Sequence, residues 1–151
     1  MKKYIILAAL CLFMAVLMAQ TGLYDLSYAQ DMAEAHKALL AKGFQESNRN
    51  DLSVTYTNDQ IPGLIYLEIR DVLDTKTISS WTVRFDVEDN AGMIQKLIAD
   101  LTAIHKKEPV TSDFDDRWEW DLGSTYGVNM LLYEEQSTLS VNYTNANEHW
   151  D

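Results

Sequence analysis

The densest cluster of carboxylates in the sequence consists of Asp113, Asp115, Asp116, Glu119 and Asp121. A pair of carboxylates hydrolyses glycosidic bonds when the two groups lie roughly 5 to 9.5 Å apart in a cleft. Glu119 and Asp121, two residues apart on one strand face, would be separated by about 7 Å. Such spacing recurs on most acidic strands, and the Asp-x-Asp-x-Asp-Gly pattern of a calcium loop is absent. We therefore interpret the segment as a solvated acidic loop and assign no catalytic residue and no metal ligand.

The three histidines, His36, His105 and His149, lack the spacing that places two metal ligands on one helix face. His36 is interpreted as a boundary residue. His105 falls in the last turn of a predicted helix, where a cation complements the helix dipole. No serine lies in a Gly-x-Ser-x-Gly turn, and a glycine-rich phosphate loop is absent. The sequence therefore predicts neither an enzyme nor a bound cofactor.

Tryptophans on predicted strands have two alternative interpretations. Aromatic side chains on an open sheet face serve as anchors for protein partners or as stacking platforms for sugars. Trp118 and Trp120, however, alternate with Arg117, Glu119 and Asp121 along one predicted strand. This alternation favours the second interpretation, in which both tryptophans fill the core beneath the helices.

Two tyrosines are the best candidates for a binding surface. Within their strands, the positions of Tyr66 and Tyr133 alternate with those of the more apolar face. This alternation places both side chains on the solvent-facing side of the sheet. Glu68 and Arg70 follow Tyr66 in the same phase. We therefore predict that Tyr66, Glu68, Arg70 and Tyr133 bind a ligand or a partner.

The N-terminus has the three parts of a secretory signal peptide. The basic start Lys2–Lys3 is followed by the uncharged run Tyr4–Met18 and by the small residue Ala19. We expect cleavage after Ala19, so that residues 1–19 are the signal peptide and residues 20–151 form one domain. The alternative is a retained anchor, for which the run is short of the roughly 20 residues that usually span a bilayer.

The domain that remains is acidic and has no cysteine. The chain has 12 Lys and Arg against 23 Asp and Glu; loss of Lys2 and Lys3 leaves 10 against 23, a net charge near −13. Phosphate backbones repel such a domain, so we exclude nucleic acid and expect an envelope protein or a small ligand as the partner. Membrane contact is expected only through an uncleaved signal peptide. Cys11, the only cysteine, lies inside the apolar run, which disfavours a lipoprotein and a disulfide.

Hydrophobic periodicity predicts an α+β fold with the order α-β-β-β-α-β-β-β. The first helix is expected to begin at a capping box of Ser27 and Gln30 and to end at Gly43. Asp89 or Asn90 is expected to cap the second helix. The six strands are predicted near residues 52–57, 64–70, 81–88, 117–122, 128–132 and 139–143, and Phe44 is expected to begin a return strand after the first helix. Alternation in each strand predicts an antiparallel sheet with two helices packed on one face, either as one continuous sheet or as two short sheets that share the helix layer. We expect a single domain whose tail, 145–151, is frayed.

The element order, the helix end Leu40–Phe44 and the strand sequence Trp118–Trp120 resemble small secreted bacterial proteins with tandem α-β-β-β units. The β-lactamase-inhibitor-like fold is the named example of this group. The resemblance implies a curved sheet with helices and a binding role rather than a catalytic one. This chain lacks the disulfide cysteines of the inhibitors, and no motif carries their inhibitory residues onto positions here, so inhibition of a lactamase is not implied.

These observations together predict an exported interaction module, periplasmic or secreted, whose ligand the sequence does not identify. One alternative is an envelope hydrolase that uses the acidic residues from Asp116 to Asp121. The other alternative is a structural component of the envelope.

Overall fold

The computed structural model describes residues 21–72, 74–88, 90, 92–112, 116–123 and 125–145. The predicted signal peptide, 1–19, lies outside these ranges, as does the predicted frayed tail except for Asn145. Within the described ranges, no helix is both long enough and apolar enough to cross a bilayer.

In the described part of the chain, the fold consists of two α-helices and one eight-stranded sheet. The helices are α1 (Met32–Ala41) and α2 (Met93–His105). The strands are β1 (Gln45–Arg49), β2 (Ser53–Thr57), β3 (Leu64–Arg70), β4 (Ser80–Asp86), β5 (Val110–Ser112), β6 (Arg117–Asp121), β7 (Tyr126–Tyr133) and β8 (Thr138–Asn145). Their order in the sheet is β1-β2-β3-β4-β8-β7-β6-β5, with every neighbouring pair antiparallel. The predicted α+β class and antiparallel sheet are confirmed.

The predicted number of strands is wrong, because each helix is followed by four strands and not three. The predicted order leaves out the two edge strands of the sheet, β1 and β5, although the return strand expected from Phe44 has the position of β1. Every residue of β1 is exposed and polar, so its sequence has no alternation to detect. Strand β5 has only three residues, which is too short for a periodic pattern.

The start of α1 also differs from the prediction. Ser27 and Gln30 do form a hydrogen bond, in which the Ser27 N–H donates to Gln30 Oε1 at 3.1 Å, but it closes a turn ahead of the helix. The N-cap is Asp31, whose carboxylate accepts from two N–H groups of the first turn at 2.9 and 3.0 Å. Gly43 ends the helix as predicted, with a left-handed φ of 86°.

The second helix begins after Gly92, which contributes no capping side chain. Of the two predicted caps, Asn90 accepts a hydrogen bond from the Met93 N–H through its backbone carbonyl at 2.9 Å, and Asp89 lies outside the described residues. The helix ends at His105, and Lys106 closes it in the left-handed conformation with φ of 55°.

The core lies between the helices and one face of the sheet. Ala35 and Leu39 of α1 and Leu97 and Leu101 of α2 belong to the same buried cluster as alternate strand residues. The buried strand residues on this face are Val54, Tyr56, Leu67, Ile69, Trp81, Val83, Phe85, Trp120, Val128, Met130, Leu139, Val141 and Tyr143. Each fully buried aliphatic or Phe side chain contributes about 1.5–3 kcal/mol. The prediction that Trp120 fills the core is confirmed, and Trp118 is partly buried against it.

The segment that precedes α1 is an integral part of this core. Leu23 is buried, and its N–H donates to the Tyr143 hydroxyl at 2.9 Å. Tyr28 is buried as well, and its hydroxyl donates to the carbonyls of Gly127 and Thr144 at 3.1 and 2.9 Å. The segment therefore connects the first helix to β7 and β8 in the second half of the sheet.

Candidate functional site

The face of the sheet opposite the helices, here called the open face, is rich in hydroxyl and amide side chains. It is formed by the strand positions that alternate with the core residues. Its small polar residues on the six inner strands include Thr55, Thr57, Thr82, Asn129, Thr138, Ser140, Asn142 and Thr144. Antiparallel sheets commonly bury one face and leave the other in contact with water.

The structure places all four predicted binding residues on the open face. Tyr66, Glu68 and Arg70 occupy alternate positions of β3. Arg70 donates through Nε and one Nη to the same Glu68 oxygen, at 2.8 and 2.6 Å, so these two charges neutralise each other. Tyr133 ends β7 and is 42% exposed.

Arg84 connects the two tyrosines. It lies directly opposite Tyr66 in the register of β3 and β4, and its guanidinium carbon is 5.1 Å from the centre of the Tyr133 ring. The same guanidinium donates to the Thr138 hydroxyl at 2.8 Å and to the side chain of Gln136. The cation–π contact and these hydrogen bonds hold the side chain against Tyr133. Arg84 was not predicted from the sequence as a site residue. Its position, which alternates with the apolar residues of β4, could have indicated that it lies on the open face.

A row of side-chain hydrogen bonds crosses the middle of the open face. Thr82 on β4 donates to the Asn142 amide oxygen on β8 at 3.0 Å, and the Asn142 amide nitrogen donates to Asn129 on β7 at 2.9 Å. These residues are direct cross-strand neighbours. The bonds orient both amides and make this part of the face a fixed polar surface.

A groove of about 350 Å³ lies in the half of the open face formed by β6, β7 and β8. Gly127 lies between Asp121 and Thr144 in the register of the sheet, and an added Cβ there would come no closer than 3.8 Å to another atom. Because Gly127 has no side chain, the backbone forms the floor. Glu119 and Asn129 complete the polar lining, so the groove contains the carboxylate pair Glu119 and Asp121.

The acidic segment does not form a metal centre among the described residues. Asp113 and Asp115 lie outside them. Glu119 pairs with Arg117 at 2.5 Å, and the Asp121 carboxylate accepts from a backbone N–H of the following turn at 2.8 Å. No group of three or more His, Cys, Asp or Glu side chains in the described ranges has an arrangement that could hold an ion.

The prediction that His105 is a cation is wrong. Its ring packs against Tyr143, with Nε2 3.2 Å from the hydroxyl, and burial lowers the pKa of His105 to about 4. The side chain is therefore neutral at pH 7 and does not add positive charge to the end of α2. His36 is partly buried and lies 2.9 Å from the Tyr56 hydroxyl, while His149 lies outside the described residues.

No protein-family model matches the chain, and no curated protein or solved structure is significantly similar to it. The resemblance to the β-lactamase-inhibitor-like fold therefore stays a prediction.

Proposed function

We propose that this protein is an exported interaction module that binds a protein partner through the open face. The observation that supports this function is the group Tyr66, Arg84 and Tyr133, which lies on a sheet face opposite the helix layer. Export rests on the predicted signal peptide.

The residue types of this group are those that dominate binding energy at protein interfaces. Tyrosine and arginine are enriched at hot spots, where truncation of a single side chain costs 2 kcal/mol or more. Tyrosine also has few rotatable bonds, so little conformational entropy is lost when it binds. Arg84 is already held by Tyr133 and Thr138, and a side chain fixed in advance loses less entropy on association.

The charges of the open face are nearly balanced, in contrast to the net charge of −11 for the whole chain. Three arginines on the described strands of this face accompany four carboxylates: Arg70, Arg84 and Arg117 with Glu68, Asp86, Glu119 and Asp121. Recognition through such a face depends on shape and hydrogen bonds rather than on net charge. Binding should therefore survive moderate salt, which screens exposed charges.

Affinity capture from envelope extract, with the exported protein (20–151) as bait, tests the proposal. We expect one protein to be retained at moderate salt. The double variant Tyr66→Ala, Tyr133→Ala should bind it at least tenfold more weakly, since the loss of even one hot-spot side chain costs about 2 kcal/mol or more. The matched control is the double variant Lys37→Ala, Gln95→Ala, which changes exposed helix residues away from the open face.

Equal capture by the tyrosine variant and the control would reject the open face as the binding site, provided that both variants keep the wild-type melting temperature. If the wild-type protein retains nothing, the result would favour the alternative that this protein is a structural component of the envelope.

The hydrolase alternative ranks second. The groove on the open face does bring Glu119 and Asp121 together. Arg117 already binds Glu119, however, and the Asp121 carboxylate is held by a turn N–H. Neither carboxylate is free in the way that a general acid and a nucleophile require.

A further inference from the structure

A pocket of about 500 Å³ opens on the helix side of the molecule, remote from the open face. It lies between the short 3₁₀ turn Leu23–Asp25, the turn that joins β2 to β3, and the first half of α2. Its apolar walls are Leu23, Ile61, Pro62, Phe85, Met93 and Leu97. Sequence reasoning did not indicate this site, because its walls come from segments far apart in the chain.

Two glycines shape the pocket. Gly63 has a φ of 72°, and a Cβ at this position would lie 2.7 Å from the Asp86 carbonyl oxygen. The β2–β3 turn can therefore lie close against the end of β4, with Ile61 and Pro62 as a wall. Gly92, at the start of α2, lines the mouth, and an added Cβ there meets no atom within 4 Å.

Among the described residues, the polar rim of the pocket has no net charge. Lys96 Nζ lies 2.5 Å from Asp100 Oδ2, so the two charged residues of the rim form an ion pair. Burial, and then the charge of Asp100, raise the pKa of Tyr24 to about 12, which keeps its hydroxyl protonated at neutral pH. Among the described residues the Tyr24 hydroxyl has no hydrogen-bond partner, so it is available as a neutral donor.

We propose that this pocket binds a small, uncharged, mostly apolar molecule with a hydrogen-bond acceptor for the Tyr24 hydroxyl. Ligand sites typically enclose 300–1,000 Å³ and combine apolar walls with a few polar groups. Apolar cavities of about 150 Å³ stay dry and bind benzene, and this pocket is larger. A charged ligand would lose its hydration without finding a free counter-ion among the described residues of the rim. The site is independent of the open face, so either assignment can fail without the other.

Titration of the exported protein with the neutral dye N-phenyl-1-naphthylamine tests the site. Fluorescence should rise and saturate at one dye per protein. 1-Decanol should displace the dye at least tenfold more effectively than decanoate or decylamine. Tyr24→Phe should weaken decanol binding about three- to tenfold, the effect of one hydrogen bond, and leave dye binding unchanged.

A pair of variants on α2 locates the binding. Gly92→Phe should reduce dye affinity at least tenfold, because the ring would cover the mouth and the backbone φ of −85° accepts any residue. Gln95→Phe adds the same ring at an exposed position of the same helix that does not line the pocket, and should bind as the wild type does. Dye binding that does not saturate, charged analogues that compete as well as decanol, or Gly92→Phe with wild-type affinity would each overturn the proposal. If Gly92→Phe does not fold, the comparison of decanol with its charged analogues and the Tyr24→Phe variant still test the proposed site.

Discussion

His105 and Tyr143 belong to a chain of hydrogen bonds that begins at the Leu23 N–H. The Leu23 N–H donates to the Tyr143 hydroxyl at 2.9 Å, so this hydroxyl can donate its own proton to His105 Nε2 at 3.2 Å. A neutral imidazole accepts this bond through its unprotonated nitrogen. The other ring nitrogen, Nδ1, is buried without a partner among the described residues. Protonation of His105 would thus place a charge in a largely buried site, which is unfavourable.

We expect the free energy of unfolding to fall as the pH decreases from 6.5 to 4. The pKa of His105 is lowered from its ordinary value of 6.5 to about 4, so in this window the unfolded chain binds a proton that the folded chain does not. The stabilisation is fully present above pH 6.5 and is lost toward pH 4, with a magnitude of about 1–2 kcal/mol after allowance for partial solvent screening. Urea unfolding of the wild type at pH 7 and pH 4.5 measures the loss.

His105→Gln is the matched variant, because glutamine offers an acceptor to Tyr143 but does not titrate. Carboxylates titrate equally in both proteins, so the difference between their pH dependences isolates His105. We expect a smaller loss of stability in the variant. Identical pH dependences would show that His105 does not couple protonation to folding.

At the scale of elements, the segment that precedes α1 depends on the absence of a side chain at Gly22. An alanine Cβ at this position would lie 2.2 Å from Tyr143 Cε1 and 2.7 Å from Trp81 Cζ2, and both rings are fully buried. The backbone φ of −125° is allowed for any residue, so the effect is steric alone. Gly22→Ala should destabilise the protein by about 1–3 kcal/mol through overpacking, as measured by chemical unfolding.

Gly127→Ala is the control for this prediction. Its Cβ would come no closer than 3.8 Å to another atom, and alanine suits a strand interior better than glycine by about 0.5–1 kcal/mol. We therefore expect Gly127→Ala to be neutral or slightly stabilising. Equal effects of the two substitutions would mean that the N-terminal segment moves aside at little cost.

The elements that the sequence predicted well are those with one buried face. In β4, Trp81, Val83 and Phe85 alternate with Thr82 and Arg84, and one face is buried throughout. Every residue of the edge strand β1 is exposed, and the edge strand β5 has only three residues, so neither sequence carries such a pattern. The helix start was misplaced because Ser27 and Gln30 do satisfy the capping pattern locally, and only the packing of the following residues decides where the helix begins.

The functional sites were likewise predicted where strand periodicity is sufficient, and missed where contacts between distant segments decide. Strand phase was enough to place Tyr66 and Tyr133 on one face, since the period of a strand is two residues. The contact of Arg84 with Tyr133 depends on a long side chain that reaches across strands, which phase does not predict. The apolar pocket needs Leu23, Ile61 and Met93 to meet, and these residues come from three separate segments.

At the scale of the whole molecule, the two units, each a helix followed by four strands, meet at the pairing of β4 with β8. Val83 lies opposite Val141 there, and the rings of Trp81 and Tyr143 stack with centroids 4.1 Å apart. The core therefore continues without interruption from one unit to the other. On the open face, Arg84 belongs to the first unit and Tyr133 to the second, so the proposed binding surface exists only when both units are folded and paired.

This continuity predicts that the two units unfold together. Thermal unfolding should give coincident transitions by far-UV and near-UV circular dichroism, with a calorimetric enthalpy equal to the van't Hoff enthalpy. Val83→Ala, in the pairing of β4 with β8, should destabilise the protein by about 2 kcal/mol through the lost methyl groups and the cavity they leave. It should lower the midpoint yet preserve a single transition, because neither unit keeps a complete core without the other. Two separated transitions would mean that each unit is stable alone, and that the open face can be divided without unfolding either half.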